Sequence, residues 1–204
     1  MDWFLVGYTA RTPDPWELYY LADLNRRERQ LDALNKATHV IMIFPLYTDS
    51  MPGIVKQFFE QMILRPGRSS LKVGFIVQSG FPESIHSEYV ARYLEKFVGR
   101  LGMQYLGTVI KGGVEGIQAR PPFMSKALYR KFNRLGAHFA DHQSFEPELL
   151  RQMRRPRRLS PMGRGMIVFF NYIGLTNFYW NSRLKKHDAY SSRFDQPYLS
   201  SERK

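Results

Sequence analysis

Three short loops hold the residue types best suited to receive a ligand. Pro45-Leu46-Tyr47-Thr48-Asp49-Ser50-Met51-Pro52-Gly53 closes the apolar run that starts at Val40. Ser79-Gly80-Phe81-Pro82-Glu83-Ser84 follows Leu71–Gln78, and Lys111-Gly112-Gly113 follows Tyr105–Ile110. Each run is apolar and β-branched, the pattern of a strand buried on both faces. Ligands of open parallel sheets bind outside the carboxyl ends of such strands. Ser79-Gly80 suits either close backbone approach to a ligand or a tight turn. Tyr47 reads as a ligand contact or as a rim tyrosine over the core. Asp49 reads as a polar contact or a helix cap, with Ser50 competing for the cap. Lys56 reads as an anion contact or a solvated helix lysine, and His86, the only histidine near these loops, as a structural or solvated helix residue. His138 and His142 have the i, i+4 spacing of a helical metal pair, but no third ligand is evident and no metal is expected.

The elements that carry these loops alternate. Arg26–Lys36 is expected to be a helix, and Val40–Leu46 a strand. Ile54–Leu64 repeats Ile54, Phe58, Met62 and Val55, Phe59, Ile63 at four-residue spacing, as an amphipathic helix does, with Arg65-Pro66-Gly67 as its stop. Ile85–Leu101 is a second long helix closed by Gly102, and Met124–His142 a third. Strands and helices alternating at this spacing imply βαβ units and a parallel sheet. Trp16–Leu24 reads as a further strand, and Phe4–Tyr8 as a possible first one. Pro147–Arg158 is expected to be a basic helical stretch broken at Pro156. Arg157–Gly165 should be a loop, Met166–Leu184 helical, and the last residues extended.

The chain has 204 residues, 44% of them apolar, enough for a sizeable core in one domain of residues 1–145, with 146–204 as a basic, aromatic-rich extension packing on that domain or a dimer partner. It contains no cysteine, which excludes disulfides, thiolate metal sites and a cysteine nucleophile. The N-terminus lacks the basic flank of a signal peptide, and the late apolar run Met166–Tyr172 is far shorter than the roughly 20 residues that span a bilayer. A cytoplasmic location is expected. The net charge is +12, and from Glu146 onward 12 Lys/Arg face 5 Asp/Glu. That tail, with Arg151–Arg158 at its centre, points to an anionic partner or a solvated basic face.

The stretch ATHVIMIFPLYTDSMPGIVKQFFE, followed in order by GFIVQSGFPES and YLGTVIKGGVEG, resembles the flavodoxin-like NAD(P)H-dependent FMN reductases and quinone reductases. The resemblance implies an α/β, three-layer sandwich with a parallel sheet of order 2-1-3-4-5. It implies FMN bound at the carboxyl edge by Pro45, Leu46, Tyr47, Thr48, Asp49, Ser79, Gly80, Phe81 and Gly112, with NAD(P)H as co-substrate and a homodimer as the assembly. The loops' N–H groups would donate to the polar edges of the flavin, and an aromatic side chain would stack on its ring. Hydride would pass to a quinone, flavin or similar small acceptor, and no catalytic side chain is implied.

One part of that family's pattern is missing. Its first strand leads through a Gly/Ser/Thr-rich loop to a helix that grips the FMN phosphate. Only Thr9–Pro15 separate Phe4–Tyr8 from Trp16, too few for a parallel crossover. The first strand is therefore expected to be absent or atypical. The alternative function is a flavodoxin-fold protein that has lost its cofactor and serves as a binding or assembly module.

Overall fold

The computed structural model describes residues 2–64, 70–114, 116–117, 120–174 and 177–196. It divides into two units, Met1–Arg158 and Leu159–Lys204.

The first unit is built on three parallel strands, β1 (His39–Pro45), β2 (Lys72–Gln78) and β3 (Gln104–Lys111), in the order β1-β2-β3. The register runs His39 to Lys72 and Pro45 to Gln78, so the two strands end level. β2 pairs with β3 from Lys72–Gln104 to Gln78–Lys111, with one irregularity at Val73/Gly74. Helices cover both faces, which explains why β2 reads as an unbroken apolar run. Alternate side chains go to opposite layers. Val73, Phe75 and Val77 join a core with Leu31, Phe59, Leu94 and Val98, whereas Ile76 joins Phe4, Leu135, Phe139 and Leu149.

The first layer consists of α2 (Arg27–Lys36), α3 (Gly53–Ile63) and α4 (Ile85–Arg100). Phe59 stacks on Phe97 with centroids 4.5 Å apart. Full burial of one such side chain contributes about 2–3 kcal/mol. The second layer holds α1 (Asp2–Thr9), α5 (Pro122–His142) and α6 (Pro147–Met153). Phe145, Leu149 and Met153 are buried in its core. The first unit therefore continues past the boundary expected at Glu146, because these apolar side chains fill its second layer.

Three expectations are corrected here. Phe4–Tyr8 is helical, not a strand: it is the core of α1, with Phe4 and Gly7 buried at i, i+3 spacing. Its sequence is short and apolar, and periodicity over so few residues cannot separate helix from strand. Trp16–Leu24 forms no strand: the chain is irregular through Tyr20 and turns at Leu21-Ala22 before a 3-10 turn at Leu24–Arg26. A strand needs a neighbour; here the carbonyls of Tyr20 and Asp23 instead accept from the Gln30 side-chain amide at 2.9 and 3.0 Å. The sheet accordingly shows three strands among the described residues rather than five, and β1 is an edge strand with Ile43 exposed.

The second unit contains α7 (Pro161–Tyr172) and α8 (Phe178–Lys186). Pro161–Gly165, expected in a loop, begins α7. Ser160 Oγ accepts from Gly163 N–H at 3.1 Å and Pro161 sits in the first turn, so the start is capped. Gly174, at φ +75°, separates the two helices, so the single helix expected over Met166–Leu184 is broken. The residues after α8 form turns up to Phe194, where an extended tail was expected. Arg65-Pro66-Gly67 and the chain from Pro197 lie outside the described residues.

Candidate functional site

The level carboxyl ends of β1, β2 and β3 bring three loops to one edge of the sheet. Their backbones are tied together. Leu46 N–H donates to Gln78 O at 2.7 Å, Ser79 N–H to Lys111 O at 3.0 Å, Gly113 N–H to Phe81 O at 2.8 Å and Val114 N–H to Ser79 O at 3.2 Å. Gly112 permits that closeness: a Cβ there would stand 2.5 Å from Phe81 O. Ser79 is buried, and its Oγ donates to Phe81 O at 3.2 Å.

The loop after β1 folds back on itself. Tyr47 and Ser50 exchange N–H···O bonds of 2.8 and 3.0 Å around Thr48 and Asp49. Both central residues are left-handed, at φ +48° and +58°. Such a turn ordinarily uses Asn and Gly, and a β-branched threonine there is strained by about 1–2 kcal/mol. Strain of this kind clusters where a loop holds a ligand. Gly80, by contrast, is not among the left-handed glycines.

Asp49 reaches across to the next loop. Its Oδ1 lies 3.2 Å from His86 Nδ1, and Glu83 Oε2 lies 3.8 Å from Nε2 of the same ring. Phe81 stacks on His86, centroids 4.6 Å apart and planes at 29°. Tyr47 is 63% exposed and Phe81 49%. The N–H groups of Thr48, Asp49, Gly80 and Phe81 donate to no backbone carbonyl among the described residues. At the third loop, burial holds Lys111 below the usual lysine range, with the charges of Lys131 and Arg120 adding to the effect. Among the described residues the edge therefore has four backbone N–H groups without a backbone acceptor, two exposed rings and a cationic flank. Such a surface suits a flat, polar-edged, anionic ligand. Two shallow clefts lie elsewhere, one of about 300 Å³ lined by Arg11, Arg134 and Asp141, the other by Tyr20, Asp23 and Gln30.

Residues 11–135 match the flavodoxin-like fold family. The chain belongs to that family. Two solved structures are similar to this flavodoxin-like chain. An NAD(P)H:quinone oxidoreductase from Methanothermobacter marburgensis is 13% identical, with a TM-score of 0.55, over 71% of this chain and 89% of its own. The NADH:FMN oxidoreductase EMOB, in its apo form, is 19% identical, with a TM-score of 0.52, over 76% and 86%. At these identities the likeness carries the fold. No curated protein matches the sequence.

Within the flavodoxin-like unit, Tyr47, Thr48, Asp49, Gly80, Phe81 and Gly112 lie in the three loops. Pro45 ends β1, while Leu46 and Ser79 are buried beneath the edge. His86 is the residue whose contacts with Asp49 and Phe81 sequence reasoning did not show. It is the second residue of α4, directly after the β2 loop, and that position was the available signal. His138 and His142 sit with ring centroids 4.3 Å apart on α5, and no group of three metal-binding side chains occurs among the described residues.

Proposed function

We propose that this chain is an FMN-dependent oxidoreductase that takes hydride from NAD(P)H and passes it to a quinone, flavin or similar small acceptor. The observation that carries the reading is the set of four N–H groups without a backbone acceptor among the described residues, beside two exposed aromatic rings at the carboxyl edge. FMN, when bound, supplies the hydride chemistry. The chain's residues bind and orient it. The N–H groups of Thr48, Asp49, Gly80 and Phe81 donate to the polar edges of the isoalloxazine, as preorganised backbone donors do. Tyr47 and Phe81 contribute ring surface, and the Asp49–His86–Phe81 chain of contacts holds the first two loops in register. Lys111 and Arg120 set a positive field that favours an anionic ligand. The names of the similar structures, a quinone oxidoreductase and an FMN oxidoreductase, support the same reading. A cytoplasmic homodimer is the assembly this reading carries.

The test is anaerobic mixing of NADH or NADPH with protein preincubated with FMN. Loss of the oxidised flavin's visible band, faster than with free FMN alone, is expected. No acceleration by either nucleotide would overturn the reading.

A second reading has its own observation. Among the described residues no strand pairs with the outer edge of β1, and no strand followed by a Gly/Ser-rich loop and a helix precedes β1 to hold a phosphate. Losing several charge-assisted hydrogen bonds weakens a phosphate ligand strongly. On this reading the unit is a non-catalytic binding or assembly module. FMN binding with nucleotide oxidation excludes it; failure to bind FMN at millimolar concentration supports it.

A further inference from the structure

The second unit contains a helix that buries nothing. In α7, Met162, Met166, Phe169 and Ile173 repeat at three- and four-residue spacing, and all are exposed, Phe169 at 58%. Ile167 and Val168 are exposed too, but on the other side of the helix, three and four residues from Arg164. Arg164 and Asn171 share the opposite side of the helix. The helix is locally well specified by its Ser160 cap and first-turn proline. Yet isolated helices of this length are marginal in water without a surface to pack on, and apolar patches of this kind mark interaction sites. α8 adds exposed Phe178 and Trp180, then Arg183, Lys185 and Lys186 in its last turn.

Charge identifies the occupant. From Leu159 to His187, the stretch that holds both helices of this unit, the sequence carries four Lys/Arg, Arg164, Arg183, Lys185 and Lys186, and no Asp/Glu. In a two-fold dimer the same patch meets itself, so the cations of α7 and α8 would face each other with no acidic residue of either helix to answer them. A nucleic acid would answer the charge but offers nothing to the aliphatic side chains of the stripe, Met162, Met166 and Ile173. An anionic bilayer answers both: its headgroups attract Lys and Arg, and its acyl boundary receives the aliphatic and aromatic side chains. α7 is about 18 Å long, well short of the roughly 30 Å hydrocarbon layer, and no helix among the described residues is long and apolar enough to cross a membrane. The geometry is that of a helix lying in the interface plane.

We infer that the Leu159–Lys204 unit is a membrane-surface anchor that docks the protein on anionic lipid through α7 and the basic end of α8. This inference does not depend on the oxidoreductase reading.

The experiment is co-sedimentation of the full chain with phosphatidylglycerol vesicles and, separately, phosphatidylcholine vesicles. Binding at least tenfold tighter to phosphatidylglycerol is expected, weakening as salt screens the charges. Lys185→Glu and Lys186→Glu should each weaken it roughly fivefold or more. A Met166→Ser/Phe169→Ser double variant should abolish it while leaving the circular dichroism of the folded chain unchanged, since neither side chain is buried. Equal binding to both lipids, or binding to neither, overturns the proposal. So does a dimer in sedimentation velocity that the double variant converts to monomer, which would give this face to a second copy. Binding of single-stranded RNA that survives the double variant, without lipid binding, would give it to nucleic acid.

Discussion

His86 Nδ1 stands 3.2 Å from Asp49 Oδ1, joining the loop after β1 to the first turn of α4. Asp49 is 61% exposed at its side chain, so water screens the pair. Asp49→Ala should therefore cost less than about 1 kcal/mol in stability. Its effect on ligand binding should be larger, because His86 is also the plate on which Phe81 stacks. FMN affinity should fall roughly tenfold, equal to about 1.4 kcal/mol. Equilibrium denaturation and a flavin-fluorescence titration of the same variant separate the two effects.

Thr48 carries left-handed backbone strain that glycine would not. Thr48→Gly should stabilise the fold by about 0.5–1 kcal/mol, the relieved strain less the entropy that glycine adds to the unfolded chain. Thr48→Val keeps the β-branch and should give no gain. Urea midpoints of both variants check this.

Gly7 and Gly136 let α1 and α5 touch backbone to backbone. A Cβ at Gly7 would stand 1.9 Å from Asn133 O, and one at Gly136 would stand 1.9 Å from Phe4 O. Backbone cannot yield as a side-chain tip does, so Gly7→Ala and Gly136→Ala should each destabilise by about 3 kcal/mol or more. Gly53→Ala, where a Cβ meets open space, is the control and should change stability little.

His39 supplies a pH dependence. Burial, and then the charge of Lys72, hold it below the ordinary histidine value of 6.5. The unfolded chain takes up this proton near pH 6.5 while the folded chain resists it. The stability from a neutral His39 is therefore complete above that pH and is lost progressively as pH falls below it. Urea midpoints at about pH 7.5 and about pH 5.5 should differ less in His39→Gln than in the unmodified protein.

Most of the sheet and its covering helices were legible in sequence. β1, β2, β3 and α2 to α5 lie within two residues of their expected bounds, because long apolar periodicity and glycine or proline stops act locally. Phe4–Tyr8 and Trp16–Leu24 were not legible. The first is too short to show a period, and it became a helix because Gly7 fits against α5. The second has strand-like residues, but no strand lies beside it, and pairing is not encoded in a single segment. The loops themselves could be found from their strand ends. The contact of Asp49 with His86 could not, since it joins residues 37 positions apart through tertiary packing. Gly174, with its left-handed backbone, stands in the break between α7 and α8.

The central claim is that the three strand-end loops bind flavin. The most direct measurement is the visible spectrum of the purified chain after FMN is added and the excess removed, beside Gly112→Val, whose branched side chain would force the second and third loops apart. A retained flavin band in the unmodified protein, lost in a folded Gly112→Val, is the predicted result. A colourless protein, or an equal band in both, would contradict the account.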